Sequence, residues 1–152
     1  NIAFGTNEAD IEKVESAADK AQVKENILDF ANKFETMVGE RGITLSGGQK
    51  QRTAIARALI KNPEIIILDD SLSAVDTKTE EAILNHLRKE LSGKTSIMIS
   101  HRISTVKNAD HILVLKDGAV EQYGTHAMLM NQRGSYQRMY QKQLLEEELN
   151  VL

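Results

Sequence analysis

The chain of 152 residues contains no cysteine, no tryptophan and a single proline. Without cysteine, disulfide bonds and thiolate metal sites are excluded, which favours a reducing compartment. No apolar run is long enough to span a bilayer. Basic residues number 19 against 22 acidic ones, a net charge of −3, so nucleic-acid binding through a basic face is not indicated.

Charge is distributed unevenly along the chain. Residues 1–40 hold nine acidic and four basic side chains, whereas residues 41–152 hold 13 and 15. The first stretch is therefore predicted to form a separate, solvated helical lobe. The chain starts at Asn1 rather than at methionine, within what looks like a continuing element, so we expect a piece of a longer protein.

The first third of the chain is predicted to be helical. Asn7 is a candidate N-cap for a helix over about 8–20, and 21–34 predicts a second helix. One face of that second helix would carry its apolar side chains, which are Ile27, Phe30, Ala31 and Phe34. Residues 39–42 break the pattern, and a third helix is expected from the Ser-Gly-Gly turn to about Lys61.

An α/β arrangement is predicted next. Residues 64–68 and 95–100 are short, β-branched runs of the kind that form strands buried on both faces of a parallel sheet. Between them, 76–91 predicts a helix, with Asp76 or Thr77 as N-cap and Thr77-x-x-Glu80 as a capping box. Its buried stripe would comprise Ile83, Leu84, Leu87 and Leu91. A strand, a crossover helix and a second strand make a βαβ unit.

The remaining residues predict a hairpin and a terminal helix. Two runs, 111–116 and 119–123, flank Asp117-Gly118, a usual two-residue hairpin turn. A helix is expected from about Ser135, with one apolar stripe formed by Tyr136, Met139, Tyr140 and Leu144.

The pentapeptide at 45–49, Leu-Ser-Gly-Gly-Gln, predicts an anion site. It precedes a run of strong helix formers, so backbone N–H groups and the Ser46 hydroxyl would lie at a helix start. The positive end of the helix dipole and these donors favour a phosphate. Taken alone, Ser-Gly-Gly also fits an ordinary turn.

Three further polar positions lie at the ends of the predicted strands. Asp69 and Asp70 follow the first strand, where ligands bind in α/β sheets, and a carboxylate there can hold Mg²⁺ or orient a water. His101 follows the second strand and could reach a phosphate. Taken singly, the aspartates also fit a strand-end cap, and a lone histidine also fits a structural or exposed position.

In order and spacing, these segments resemble the nucleotide-binding domain of ATP-binding-cassette (ABC) transporters. The pentapeptide 45–49 resembles the signature motif, 65–69 the Walker B strand and 73–76 the D-loop, while His101 falls where the switch histidine falls. The resemblance extends to the ends of the chain, with 1–5 similar to the entry into the helical subdomain, 36–42 to the X-loop of exporters and 109–126 to the closing strands. Met37 departs from the usual glutamate of the X-loop.

The resemblance implies an α/β fold with a P-loop NTPase-like parallel sheet core, incomplete here, and an α-helical signature subdomain. It divides the chain into a helical subdomain with X-loop and signature (1–62), an α/β core (63–134) and a C-terminal helix (135–152).

The resemblance also implies a shared site, because two such domains pair head to tail with ATP and Mg²⁺ between them. The signature residues Ser46, Gly47, Gly48 and Gln49 would contact the nucleotide held by the partner, and Asp76 would help couple the two sites. In the chain's own site, Asp69 would bind Mg²⁺ and His101 would contact the γ-phosphate. Asp70 would occupy the position of the catalytic carboxylate.

Two departures qualify that picture. No G-x-x-x-x-G-K-[ST] loop occurs, so the chain alone is expected to bind ATP weakly and to be inactive. Asp70 replaces the glutamate of active family members. Its shorter side chain predicts slow ATP hydrolysis at the chain's own site and favours a heterodimer with a non-identical nucleotide-binding domain. The family places further strands, together with the G-x-x-x-x-G-K-[ST] loop, before the segment that residues 1–5 resemble. Without those strands, sheet edges and apolar surface should be exposed.

The function implied is an ATPase subunit of an exporter at the cytoplasmic face of the plasma membrane, coupled to transmembrane domains and without nucleic acid as a partner. The alternative is an ABC-type ATPase without transport, acting in DNA repair, chromosome maintenance or at the ribosome. DNA-repair types carry long coiled-coil insertions, and none appears between these motifs. A third possibility is a non-enzymatic interaction module, which fits a chain without a P-loop.

Overall fold

The structure, a computed structural model, describes residues 1–4, 6, 10–39 and 44–149. The chain divides into two compact units, Asn1–Met98 and Ile99–Leu152. In the described part, no helix has both the length and the apolar character needed to cross a membrane. The division into 1–62, 63–134 and 135–152 stays a prediction.

The first unit is α/β. In chain order its elements are α1 (Ile11–Lys20), α2 (Lys24–Leu28), a 3₁₀ turn (Lys33–Glu35), α3 (Gly47–Leu59), β1 (Ile65–Asp69), α4 (Thr77–Glu90) and β2 (Thr95–Ile99). The strands β1 and β2 are neighbours in one sheet, and they start side by side, since the Thr95 amide donates to the Glu64 carbonyl at 3.0 Å. With α4 as the crossover, this is the predicted βαβ unit.

The first helix begins later than predicted. Asp10 is its N-cap and accepts from the Glu12 amide at 3.2 Å. The predicted cap, Asn7, lies outside the described residues, as do residues 40–42 of the X-loop-like segment and Gly5 of the opening one.

The predicted long helix over 21–34 is wrong. Only Lys24–Leu28 is α-helical, because Gln22 and Lys33 have φ of 54° and 45°, which interrupts a right-handed helix on either side. The expected apolar face survives in part: Ile27 and Phe34 pack against the core, whereas Ala31 is exposed.

The strands are not buried on both faces as predicted. In β1, Ile66 and Leu68 lie in the core, whereas Ile65 and Ile67 are each 61% exposed. In β2, only Met98 packs against that core. The reason is that in the described part these two strands make the whole sheet, and α4 and its neighbours cover a single face. The expected apolar exposure is therefore confirmed.

The crossover helix α4 matches its predicted stripe, since Ile83, Leu84, Leu87 and Leu91 are all buried. Its N-cap is Asp76, whose carboxylate accepts from the Thr79 amide at 2.9 Å. Thr77 is the first helical residue, so the predicted capping box starting at Thr77 is wrong. The cap matters because Asp76 ends the loop that follows β1.

The second unit contains α5 (Ile103–Val106), β3 (Ile112–Lys116), β4 (Ala119–Gly124), α6 (His126–Met130) and α7 (Ser135–Leu149). The predicted hairpin is confirmed: β3 and β4 pair antiparallel around Asp117 and Gly118, whose φ values of 52° and 78° suit a two-residue turn. The core of this unit comprises Ile103, Ile112, Leu129 and Tyr136. On α7, Tyr136 is buried as expected, but Leu144 is 40% exposed.

Candidate functional site

The Ser-Gly-Gly turn begins α3 as predicted. Ser46 is the N-cap: its Oγ accepts from the Gln49 amide at 3.2 Å, and the Gln49 side-chain oxygen accepts from the Ser46 amide at 2.9 Å. This reciprocal capping box occupies the Gln49 side chain. Gly47 and Gly48 form the first helical positions, where amides have no acceptor within the helix.

A pocket of about 410 Å³ opens at this helix start. It is lined by Ser46, Gly47, Gly48, Arg52, Ala74, Val75 and Asp76. Four of the predicted site residues, Ser46, Gly47, Gly48 and Asp76, therefore lie together. The pocket has donors on one wall and the segment that precedes α4 on the other.

Gly48 allows the two walls to meet. A Cβ at this position would lie 2.8 Å from the Ala74 carbonyl oxygen, closer than real Cβ atoms approach backbone. A Cβ on Gly47 would be only 3.5 Å from that of Ala74, an ordinary contact. The second glycine of the motif is therefore required by packing, whatever ligand the pocket takes.

Arg52 is a pocket residue that sequence reasoning missed. It lies one turn after Gly48 and donates from Nε to the Gly48 carbonyl at 3.3 Å, while Nη1 donates to the Gln22 carbonyl. Burial lowers the pKa of Arg52, and the charge of Asp76 opposes that shift. Its position four residues after a signature glycine was the available signal, because residues i and i+4 share a helix face.

Asp76 is held as an anion. The hydrogen bonds from Thr79 lower the pKa of its carboxyl below the usual value, and Arg52 adds to the effect. Asp76 is exposed and caps α4, so it lines the pocket as a fixed negative charge rather than as a proton donor.

Asp69 and Asp70 lie exposed at the end of β1, as predicted, but they do not line the pocket. Asp70 has φ of 45°, and its carbonyl accepts from the Ser73 hydroxyl at 2.9 Å. Among the described residues no group of three or more histidine or acidic side chains is placed to hold a metal ion. Mg²⁺ usually takes only one or two carboxylates together with substrate phosphates, so an exposed strand-end Asp69 fits as its ligand.

His101 belongs to the second unit, where its side chain is exposed. Its backbone is held by α7: the Gln143 side chain donates to the His101 carbonyl at 2.7 Å and accepts from the Ile103 amide at 2.8 Å. Gln143 was not singled out from the sequence, because a glutamine on an amphipathic helix carries no signal of its target.

Comparison with known proteins decides the family. A family model described as "ABC transporter" matches residues 3–73. Proteins named as ABC transporters match almost the whole chain. By these matches, the chain resembles ABC transporters over nearly its whole length. The exporter-type nucleotide-binding domain identified from the motifs is thereby confirmed.

The relatives span bacteria and mammals. The chain is 48% identical over 145 residues to a probable multidrug resistance ABC transporter ATP-binding/permease protein of Bacillus subtilis, a match that covers 95% of this chain and 25% of that protein. It is 48% identical over 148 residues to ATP-binding cassette sub-family B member 6 of Mus musculus, covering 97% of this chain and 18% of the relative. The chain thus spans a quarter or less of the length of these relatives.

A solved structure supports the fold. The structure of a bacterial Atm1-family ABC exporter with ATP bound superimposes with a TM-score of 0.90 at 43% identity, over 94% of this chain and 25% of that one. The expected P-loop NTPase-like α/β fold is confirmed. The Bacillus subtilis relative is named as a transporter and the solved structure as an exporter.

Proposed function

We propose that the protein to which this ABC chain belongs hydrolyses ATP to power export across a membrane. In this proposal its nucleotide-binding domain pairs head to tail with a second one, and the signature turn contacts the γ-phosphate of the nucleotide held by that partner. The observation that carries the proposal is the start of α3, where donors face a pocket whose other wall is the segment 74–76.

The chemistry of the α3 start suits a phosphoryl group. The Ser46 oxygen accepts from the Gln49 amide through a lone pair, so its hydroxyl hydrogen stays available to donate. The amides of Gly47 and Gly48 add donors at the positive end of the helix dipole. Arg52, which is charged at neutral pH, adds a cation to the same wall. Gln49 contributes by fixing Ser46 through the capping box.

The chain's own site would use other residues. Asp69 would hold Mg²⁺, which neutralises phosphate charge when bound with ATP. Asp70 would orient the attacking water, and His101 would contact the γ-phosphate. Aspartate is one methylene shorter than glutamate, and a displacement of roughly 1 Å can lower a rate by about 10²-fold. We therefore propose a slow site here, a partner site completed by this signature that is active, and hence a heterodimer.

Transport would require transmembrane domains whose coupling helices contact the nucleotide-binding domain at the cytoplasmic face of the plasma membrane. The chain alone lacks the phosphate-cradling G-x-x-x-x-G-K-[ST] loop. We expect it to bind Mg-ATP weakly or not at all and to show no turnover. Isothermal titration calorimetry measures this, and micromolar affinity for the isolated chain would contradict it.

The signature contact is tested by Ser46→Asp in the full-length protein and its partner. Aspartate caps helices as well as serine does, so the free energy of unfolding should change by less than about 0.5 kcal/mol. The substitution removes the hydroxyl donor and places a negative charge against the phosphate. We expect ATP turnover to fall by about 10²-fold or more, measured as phosphate release in proteoliposomes.

Thr125→Asp is the matched control. Thr125 caps α6 and accepts from the Met128 amide at 3.3 Å, so it places the same new charge at a helix start that has no role in the proposed site. Its turnover should equal that of the unmodified protein. If Ser46→Asp also keeps full turnover, the signature does not contact the phosphate and the proposal is wrong.

A further inference from the structure

Gln51 connects α3 to the loop that follows β1. Its Nε2 donates to the Ser73 hydroxyl at 2.9 Å and to the Asp70 carbonyl at 3.3 Å. Its Oε1 accepts from the Ala74 amide at 2.9 Å. One side-chain amide therefore holds the loop at its start, Asp70, and at Ser73 and Ala74 farther along, using its donor and its acceptor.

A second contact fixes the same pair of segments. Gly48 lies three residues before Gln51 on α3, so both belong to one helix face. The Gly48 backbone approaches the Ala74 carbonyl too closely for any side chain to intervene. The loop thus touches α3 through packing at Gly48 and through hydrogen bonds at Gln51, and sliding one past the other would break both.

The loop held in this way carries residues of two different kinds. It begins at Asp70, whose φ of 45° directs its carbonyl to Gln51 and to the Ser73 hydroxyl. It ends at Asp76, which caps α4 and lines the pocket with Ser46. The Gln51 amide therefore connects α3, three residues after Gly48, to the backbone of Asp70.

We propose that Gln51 is a positioning residue that ties the placement of the Asp70 carboxylate to that of the signature turn. The inference rests on the proposed function, in which Ser46 serves the partner's nucleotide and Asp70 serves the chain's own. Gln51 then links two nucleotide sites: engagement of the signature by one phosphate sets the carboxylate of the other. Gln51 itself touches no nucleotide.

The test is Gln51→Leu in the full-length protein with its partner, which keeps much of the side-chain volume and removes the amide. With the partner's corresponding carboxylate removed, so that only the chain's own site is measured, turnover per bound nucleotide should fall about 10-fold or more, because the Asp70 carboxylate is misplaced. The KM for ATP should stay within about twofold. A merely structural role would instead lower the melting temperature and the number of nucleotide sites, leaving turnover per bound nucleotide unchanged, and that result would overturn the inference.

Gln51→Glu provides a second route should the leucine variant fail to fold. It keeps the acceptor for the Ala74 amide and, when ionised, loses the donor to Ser73 and Asp70. Its turnover per bound nucleotide should lie between those of the unmodified protein and the leucine variant; unchanged turnover would overturn the inference. Gln141→Leu, the same exchange at an exposed position of α7, should change neither value.

The two proposals fail separately. If Ser46→Asp keeps full turnover, the signature contact is wrong and the link proposed for Gln51 falls with it. If Ser46→Asp abolishes turnover while Gln51→Leu behaves as the unmodified protein, the signature contact stands and the positioning role alone is wrong.

Discussion

Asp70 combines a chemical departure with an unusual backbone conformation. Its φ of 45° lies in the left-handed region, where aspartate is several-fold enriched over most residues that carry a side chain. Active members of the family have glutamate at this position. Its longer side chain extends the carboxylate farther, but glutamate adopts a positive φ less readily than aspartate does. At position 70, side-chain length therefore favours glutamate, whereas the positive φ favours aspartate.

We predict that Asp70→Glu in the full-length protein raises ATP turnover at the chain's own site by about 10-fold or more, because the longer side chain brings the carboxylate to the attacking water; this is measured with the partner's corresponding carboxylate removed. The same change should lower the free energy of unfolding by about 0.5–1 kcal/mol, since glutamate is less at ease at positive φ. Phosphate release and denaturant unfolding measure the two effects.

Asp117→Glu separates the two effects of that change. Asp117 has φ of 52° in the hairpin turn and no role in the proposed site, so glutamate there should cost similar stability and leave turnover unchanged. The asymmetric site is wrong if Asp70→Glu leaves turnover unchanged while the corresponding carboxylate of the partner also proves dispensable.

At the scale of elements, the sequence predicted those whose signals are local. The stripe of α4 repeats at helical spacing, and Asp117-Gly118 needs only its own two residues to favour a hairpin turn. The start of α3 was predicted because a run of strong helix formers follows the Ser-Gly-Gly turn, and the structure adds a capping box between Ser46 and Gln49.

Elements that depend on their surroundings were missed. Gln22 has a positive φ and its carbonyl accepts from Arg52, so the expected helix over 21–34 is replaced by α2 and a 3₁₀ turn. The brief helices α5 and α6 carry too few residues for a periodic pattern. Short helices gain their stability from packing, which a sequence pattern does not contain.

The residues of the candidate site also fall into those that a local pattern predicted and those that it did not. The signature, strand-end and cap residues were found because each has a motif. Gln51 and Gln143 were not found, because each acts on the backbone of a segment 19 or more residues away, at Asp70 and His101. A glutamine's targets follow from tertiary structure, not from its neighbours in sequence.

At the scale of the whole molecule, one face of the β1–β2 sheet has no cover among the described elements of the first unit. Ile66 and Leu68 point into the core, so the alternation of a strand places Ile65 and Ile67 on the opposite face. Ile97 and Ile99 of β2 share that face and are 47% and 51% exposed. Four isoleucines on a short, paired sheet form an apolar patch of the kind that drives association.

We predict that the isolated chain self-associates through this face and that the double variant Ile65→Thr, Ile67→Thr weakens association at least about tenfold. Threonine keeps the β-branched shape that strands favour, and both positions are exposed, so the melting temperature should change little. Sedimentation velocity over a concentration series measures the association.

Ile11→Thr, at an isoleucine 50% exposed on α1, should leave the association unchanged. Ile66→Thr should lower stability by burying a hydroxyl, without weakening association. Equal association of the double variant and the unmodified chain would mean that copies meet through another surface.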